Sequence, residues 1–151
     1  MSTALVSYRP PRIAFVMLAL AAALHAALPS AGTVVLRAPS AGSGIIVAGF
    51  ATMIWAWWLF RRHAVAICPT ARTERLLTHG IYALTRNPMY LGMIAMMLGV
   101  ALYFGTLPFY IAALAYFAVM DRVFCPYEEH KLEAAFGDEY RRYRGRVRRW
   151  L

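Results

Sequence analysis

The strongest constraint on this sequence is the way its apolar residues bunch. Residues 13–28, 45–60, 90–104 and 107–124 form runs with almost no charge, separated by polar segments. Such runs are costly to hydrate but stable in a bilayer, where a helix satisfies all of its own backbone N–H and C=O groups. The apolar positions inside each run follow no helical or strand period, so a one-sided amphipathic core does not account for them. Composition points the same way: 61% of the 151 residues are hydrophobic and 15% charged, against roughly half and a quarter in a soluble domain. The aromatic content of 14% argues against disorder, and two cysteines are too few for a disulfide scaffold. The expected fold is therefore all-α, a polytopic membrane protein with four transmembrane helices in a single domain, 1–151. At about 1.5 Å of rise per residue the runs are slightly short for a core of about 30 Å, so upright helices or a thinned bilayer are expected.

The net charge of +9 would suggest nucleic acid in a soluble protein. Here the basic residues flank apolar spans and form no separate basic domain, which argues against that reading. Of the 16 Lys and Arg, all but Arg37 fall on one side of the four runs. Arg9 and Arg12 precede the first run, Arg61, Arg62, Arg72, Arg75 and Arg86 lie between the second and third, and the remainder sit at or beyond the end of the fourth. The positive-inside rule makes that side cytoplasmic and places both termini inside, in a membrane of bacterial inner-membrane type. The first run also fits a signal-peptide core, but three further spans favour an uncleaved anchor. Residues 29–44, rich in Ser, Gly and Pro, are expected to form a short external loop. Trp55, Trp57 and Trp58 just before Arg61 and Arg62 make an aromatic belt with a basic anchor.

Gly105 and Thr106 alone separate the third and fourth runs, so these form a tight antiparallel hairpin. Beyond Phe124, Leu132, Phe136, Tyr140, Tyr143, Val147 and Trp150 recur at steps of three and four. That stripe predicts an amphipathic helix with arginines on its other face, bent near Gly137 and Gly145. Because the hairpin returns the chain to the same membrane face, the segments before and after it, 74–92 and 121–147, should be neighbours. The first contains Leu76-Leu77, Gly80-Ile81-Tyr82 and Arg86-Asn87-Pro88-Met89-Tyr90, with a helix entered at Pro88. The second contains Glu128-Glu129. An Arg in one and paired carboxylates in the other suit a zwitterionic ligand.

This ordered set resembles the isoprenylcysteine carboxyl methyltransferases, their bacterial and archaeal relatives and, more distantly, the phospholipid methyltransferases. It consists of Gly80-Ile81-Tyr82, Arg86-Asn87-Pro88-Met89-Tyr90 with Gly92, an apolar hairpin, Glu128-Glu129 with Leu132, and Phe136-Gly137-Asp138-Glu139-Tyr140 with Tyr143 and Val147. The resemblance spans residues 72–149. It implies methyl transfer from S-adenosyl-L-methionine to a lipophilic small molecule entering from the bilayer, most simply the carboxylate of an isoprenylcysteine-like compound. Phosphatidylethanolamine N-methylation is the alternative acceptor chemistry. The resemblance further implies that Leu76 and Leu77 contact the cofactor through their main chain and that Tyr82 packs on it. Asn87, Pro88, Met89 and Tyr90 would line the pocket, with Glu128 and Glu129 closing it from the second segment. Arg86, Glu128 and Arg122 are the implied catalytic set: an Arg orients a carboxylate acceptor, and a Glu serves as base for an amine.

Three positions depart from the family pattern. Asn87 replaces a His, Phe124 replaces a substrate-contacting Arg, and no Pro follows Val147 at the usual place. Bland readings stand beside the functional ones. Arg75 and Arg86 also suit topology anchors, Glu128 and Glu129 suit a solvated helix start, Asp121 is placed to pair with Arg122 or Arg86, and Met93, Met96 and Met97 suit gap filling as well as a substrate groove. His25, His63, His79 and His130 lack metal-ligand spacing, so no metal is expected. A small multidrug-type transporter is the rival of another class. It needs an ionisable residue deep in a span, and the first three runs contain no carboxylate.

Overall fold

The structure is a computed structural model that describes residues 10–27, 34–62 and 76–151. Arg9, Cys68, Arg72, Glu74 and Arg75 lie outside the described residues. The rest is helical: α1 (Pro10–Ala27), α2 (Pro39–Arg62), a 3₁₀ turn (Gly80–Ala83), α3 (Pro88–Phe104), α4 (Leu107–Val119), a π turn (Met120–Phe124), α5 (Cys125–Phe136) and α6 (Asp138–Arg146). Three helical stretches are long and apolar enough to cross a membrane: α1, α2 and the continuous run Leu107–Phe136; α3 is a shorter apolar helix.

Proline opens several of these elements, where its missing N–H costs no helical bond and its fixed φ suits the first turn. Pro39, Pro88 and Pro108 stand in the first turns of α2, α3 and α4. Gly105 closes α3 in the left-handed conformation, φ 75°, which a residue without Cβ adopts freely. The tight hairpin expected at residues 105–106 is thus present.

Helix α2 extends beyond the expected run. Residues 39–44 are its first turns rather than external loop, because Gly42 packs directly on α3. A Cβ on Gly42 would lie 2.6 Å from the Gly99 carbonyl oxygen, and one on Gly49 would lie 2.6 Å from that of Gly92. Pairing 42 with 99 and 49 with 92 requires antiparallel helices in backbone contact, the close approach that small residues permit between apolar helices. Residues 34–38 lie along the hairpin turn: Val35 N donates to Gly105 O at 2.8 Å, Ala38 N to Leu102 O at 2.9 Å, and the Tyr110 hydroxyl to Leu36 O at 2.9 Å. Helix α1 packs on the opposite side of the pair, against α4, so the order across the bundle is α2, α3, α4, α1.

Tyr116, Met120, Phe124 and Cys125 are fully buried at the centre, packed with Tyr90, Met93 and Met97. Met93 and Met97 are therefore core fillers, and the Tyr116 hydroxyl donates to Met93 Sδ at 3.3 Å. A second cluster joins the end of α2 to the 3₁₀ turn through Ala56, Leu59, Leu77, Ile81 and Tyr82. The amphipathic segment is broken at two places. Gly137, at φ 50°, separates α5 from α6, and one residue past Gly145 the helix ends at Arg146, so the expected stripe is interrupted near both glycines.

Candidate active site

Local sequence decides where the polar side chains gather. Pro126 has no N–H to give to the carbonyl four residues back and crowds that carbonyl, and the widened π turn at Met120–Phe124 stands immediately before it. One extra residue in a turn rotates everything beyond it by about 100° relative to a regular helix. The helix continues past its apolar stretch, and Glu128 and Glu129 turn toward residues 85–90. Those residues are fixed by the 3₁₀ turn and by Pro88 at the start of α3.

The Tyr90 hydroxyl donates to Glu128 Oε1 at 2.5 Å. Burial pushes the Glu128 carboxyl above the usual carboxylate range, with the Tyr90 hydrogen bond and the Lys131 charge acting in the opposite direction. Glu129, also buried, meets two guanidiniums: Arg86 Nη1 at 3.0 Å from Oε1, and Arg149 with Nε at 2.8 Å from Oε1 and Nη2 at 2.9 Å from Oε2. Arg149 Nη1 also donates to Asp121 Oδ1 at 3.0 Å, and the Trp150 indole donates to the same oxygen at 3.0 Å. Arg86 Nη1 further donates to the Tyr140 hydroxyl at 3.2 Å. Two carboxylates and two guanidiniums thus form one balanced network, the condition under which buried charges are tolerated.

One donor stands out. Arg86 Nε is a buried side-chain nitrogen with no hydrogen-bond partner among the described residues, and an unmatched buried N–H is costly. Beside it lie the Glu129 ion pair and, next along α5, Glu128. A carboxyl on α5 and a cationic donor on the 85–90 segment, joined through the Glu129–Arg86 pair, suit a ligand carrying both signs of charge. The neighbouring apolar cluster holds Leu77, Ile81 and Tyr82, with Phe60 edge-on to Tyr82 at 5.4 Å between ring centroids. Among the described residues no group of three or more His, Cys, Asp or Glu is arranged to hold a metal ion.

The structure brings Arg86, Asn87, Pro88, Tyr90, Glu128 and Glu129 together and buries Leu77 and Tyr82 nearby. Leu76 and Met89 are partly buried. Arg122 is not part of the network: it is exposed on the π turn. Asp121 pairs with Arg149, not with Arg122 or Arg86. Phe124 is wholly inside the core, its ring 6.3 Å from that of Tyr90. Thr85, Tyr140, Tyr143, Arg149 and Trp150 were absent from the expected site. The Tyr143 hydroxyl donates to Tyr82 O at 2.6 Å, and Thr85 Oγ1 to Arg149 O at 2.8 Å. The aromatic stripe held the signal for Tyr140, Tyr143 and Trp150, whereas Arg149 was indistinguishable from the surrounding topological arginines.

A helical bundle with three membrane-length apolar stretches and a polar network at one end suits an integral membrane protein. The sequence profile of the phospholipid methyltransferase family matches residues 38–139, more than half of the chain. The chain belongs to that family and is a membrane methyltransferase. It is also similar to an uncharacterized protein of Haemophilus influenzae, 38% identical over 63 residues that cover 42% of this chain and 100% of that protein. No solved structure matches the chain.

Proposed function

We propose that the protein transfers a methyl group from S-adenosyl-L-methionine to a lipophilic acceptor dissolved in the bilayer, with four helices spanning the membrane and the 80–90 segment, α5 and α6 forming a cytoplasmic cap. The observation that carries the reading is the Glu128 carboxyl held by Tyr90 on α5, whose neighbour Glu129 pairs with Arg86, in a chain of a methyltransferase family. When bound, the cofactor supplies a methyl group activated on a cationic sulfonium. Glu128 offers the negative charge that attracts its cationic end, and Tyr82, Leu77 and Ile81 offer the apolar wall. Alignment of donor and nucleophile and exclusion of water supply the rate enhancement, without a covalent intermediate on the protein.

Arg86 Nε is placed to take an anionic oxygen of the acceptor, a group that both a prenyl-cysteine carboxylate and a phospholipid phosphodiester provide. Two observations favour the phospholipid headgroup. Phe124 is sealed in the core and Arg122 is exposed, so neither supplies the second cation expected to clamp a carboxylate. An amine acceptor must lose its proton before it attacks, and a carboxyl with a raised pKa such as Glu128 suits proton uptake better than an ordinary one.

The test is methyl transfer from labelled cofactor in liposomes offering phosphatidylethanolamine or a prenyl-cysteine analogue. A base-stable product on phosphatidylethanolamine, formed faster as pH approaches the amine pKa, supports the proposal. A base-labile methyl ester on the analogue alone moves the assignment to carboxyl methylation, and no transfer to either removes the enzymatic reading of the site.

A further inference from the structure

We propose that Arg149 is a positioning residue for this reaction, acting through Glu129 to hold Arg86 in the orientation that leaves its Nε free for the ligand. The inference rests on the methyl-transfer reading above. Past α6 the chain leaves the helix at Val147, whose φ of −117° and ψ of 130° are extended, and runs along the 85–87 segment. Arg86 N donates to Arg148 O at 3.0 Å, and Thr85 Oγ1 and Asn87 Nδ2 donate to Arg149 O at 2.8 and 3.4 Å. Trp150 anchors the other end of this segment, with its indole N–H on Asp121 Oδ1 and its ring 5.4 Å from that of Phe117. Arg149 is therefore held at its backbone by the residues that flank Arg86 and at its side chain by α5 and the π turn.

The division of Glu129 between its two arginines is what gives this geometry a consequence. Arg149 takes both carboxylate oxygens in a fork, Nε to Oε1 and Nη2 to Oε2, while Arg86 touches Oε1 through Nη1 alone. A planar guanidinium meeting a carboxylate with two parallel bonds fixes the carboxylate plane, which a lysine ammonium cannot do. With Arg149 bonded to both oxygens, the two-bond approach to the carboxylate is already taken, and Arg86 keeps a single bond to Oε1. Without Arg149, Glu129 presents an open oxygen, and the Arg86 fork rotates to take it and withdraws Nε from the ligand. The Arg149 side chain is 29% exposed and that of Glu129 10%. Solvent thus reaches the guanidinium position although its partner is buried.

The experiment uses the full chain in nanodiscs, measuring methyl transfer from labelled S-adenosyl-L-methionine to phosphatidylethanolamine and to a prenyl-cysteine analogue, and binding of S-adenosylhomocysteine. Arg149→Ala is expected to lower kcat about a hundredfold, the scale of a misplacement of about 1 Å, with the cofactor KM unchanged. Arg149→Lys should remain impaired, and methylguanidine should restore part of the Arg149→Ala rate. In a Glu129→Gln background, Arg149→Ala should cost nothing further, because the residue through which it acts is already altered. Should Arg149→Ala fail to accumulate, Arg149→Lys and its double variant with Glu129→Gln carry the same comparison.

An active wild type with unchanged kcat in the Arg149 variants overturns the inference and leaves the methyl-transfer reading intact. So does a loss that adds in full to that of Glu129→Gln, or one that methylguanidine leaves untouched. A wild type that neither binds S-adenosylhomocysteine nor transfers methyl groups overturns both.

Discussion

The Tyr90 hydroxyl and the Glu128 carboxylate meet at 2.5 Å, joining the start of α3 to the first turns of α5 across 38 residues of sequence. The bond ties the two halves of the site directly, and it sets Glu128, with a neutral donor and the Lys131 charge acting on it, beside the doubly neutralised Glu129. Since burial holds the Glu128 carboxyl above its ordinary range, the folded state binds that proton more tightly than the unfolded state. Its contribution to stability is therefore full below the ordinary carboxylate pKa and falls as pH rises through the raised one.

Glu128→Gln keeps an acceptor for Tyr90 and removes the ionisation. The variant should melt higher than wild type at pH 7 without ligand, and the difference should shrink toward pH 4. S-adenosylhomocysteine should stabilise the wild type, by about 2.7 kcal/mol at a hundredfold excess over Kd, and stabilise Glu128→Gln much less. Thermal melts across pH, with and without the ligand, check both. Equal ligand shifts in the two proteins would remove Glu128 from the cofactor site.

Arg86→Ala leaves Glu129 with Arg149 alone. Breaking one arm of a buried ion pair costs about 3 kcal/mol, the low end of the usual range because the second guanidinium remains. Thermal melting should show this loss. Methyl transfer should fall further than stability explains, since the unpartnered Nε leaves with the side chain. Activity measured well below the melting temperature separates the two effects.

The seam between α2 and α3 admits no side chain at Gly49 or Gly92. A Cβ on Gly92 would lie 2.6 Å from the Gly49 carbonyl oxygen, so Gly92→Val must separate the helices. Overpacking of this kind costs about 1–3 kcal/mol, whereas Gly44→Val, with nothing within 4 Å of its Cβ, should leave the melting temperature nearly unchanged.

Orientation can be read with introduced thiols, because the native Cys125 is fully buried and silent from either side. In a Cys68→Ala background, Arg142→Cys should react with an impermeant maleimide only after permeabilisation, and Arg37→Cys should react in intact cells. The reverse pattern would invert the proposed topology.

Much of the fold was legible because bilayer-compatible helices are written in local composition. The hairpin at Gly105, the start of α3 at Pro88 and the Trp and Arg end of α2 each follow from one or two residues whose backbone or solvation preferences act alone. Residues 39–44 were misread for the opposite reason. Ser and Gly favour loops by propensity, and only the contact of Gly42 with Gly99 makes a helix the better state there. The site was half legible. Arg86, Tyr90 and Glu128 lie in a recognisable motif, but nothing local marks Arg149 as different from Arg148 or Arg146.

The sequence by itself determined that the chain is a helical membrane protein, where its apolar stretches lie, and which two polar segments return to the same end. These depend on the free energy of moving each stretch out of water, which adds up residue by residue. Only the tertiary structure decided who pairs with whom: Glu129 with Arg86 and Arg149, Asp121 with Arg149 and Trp150, Glu128 with Tyr90. Charge in a buried network is stabilised over a few ångströms and in particular directions, so a π turn ahead of Pro126 and an extended segment after α6 select the partners among sixteen basic and seven acidic side chains.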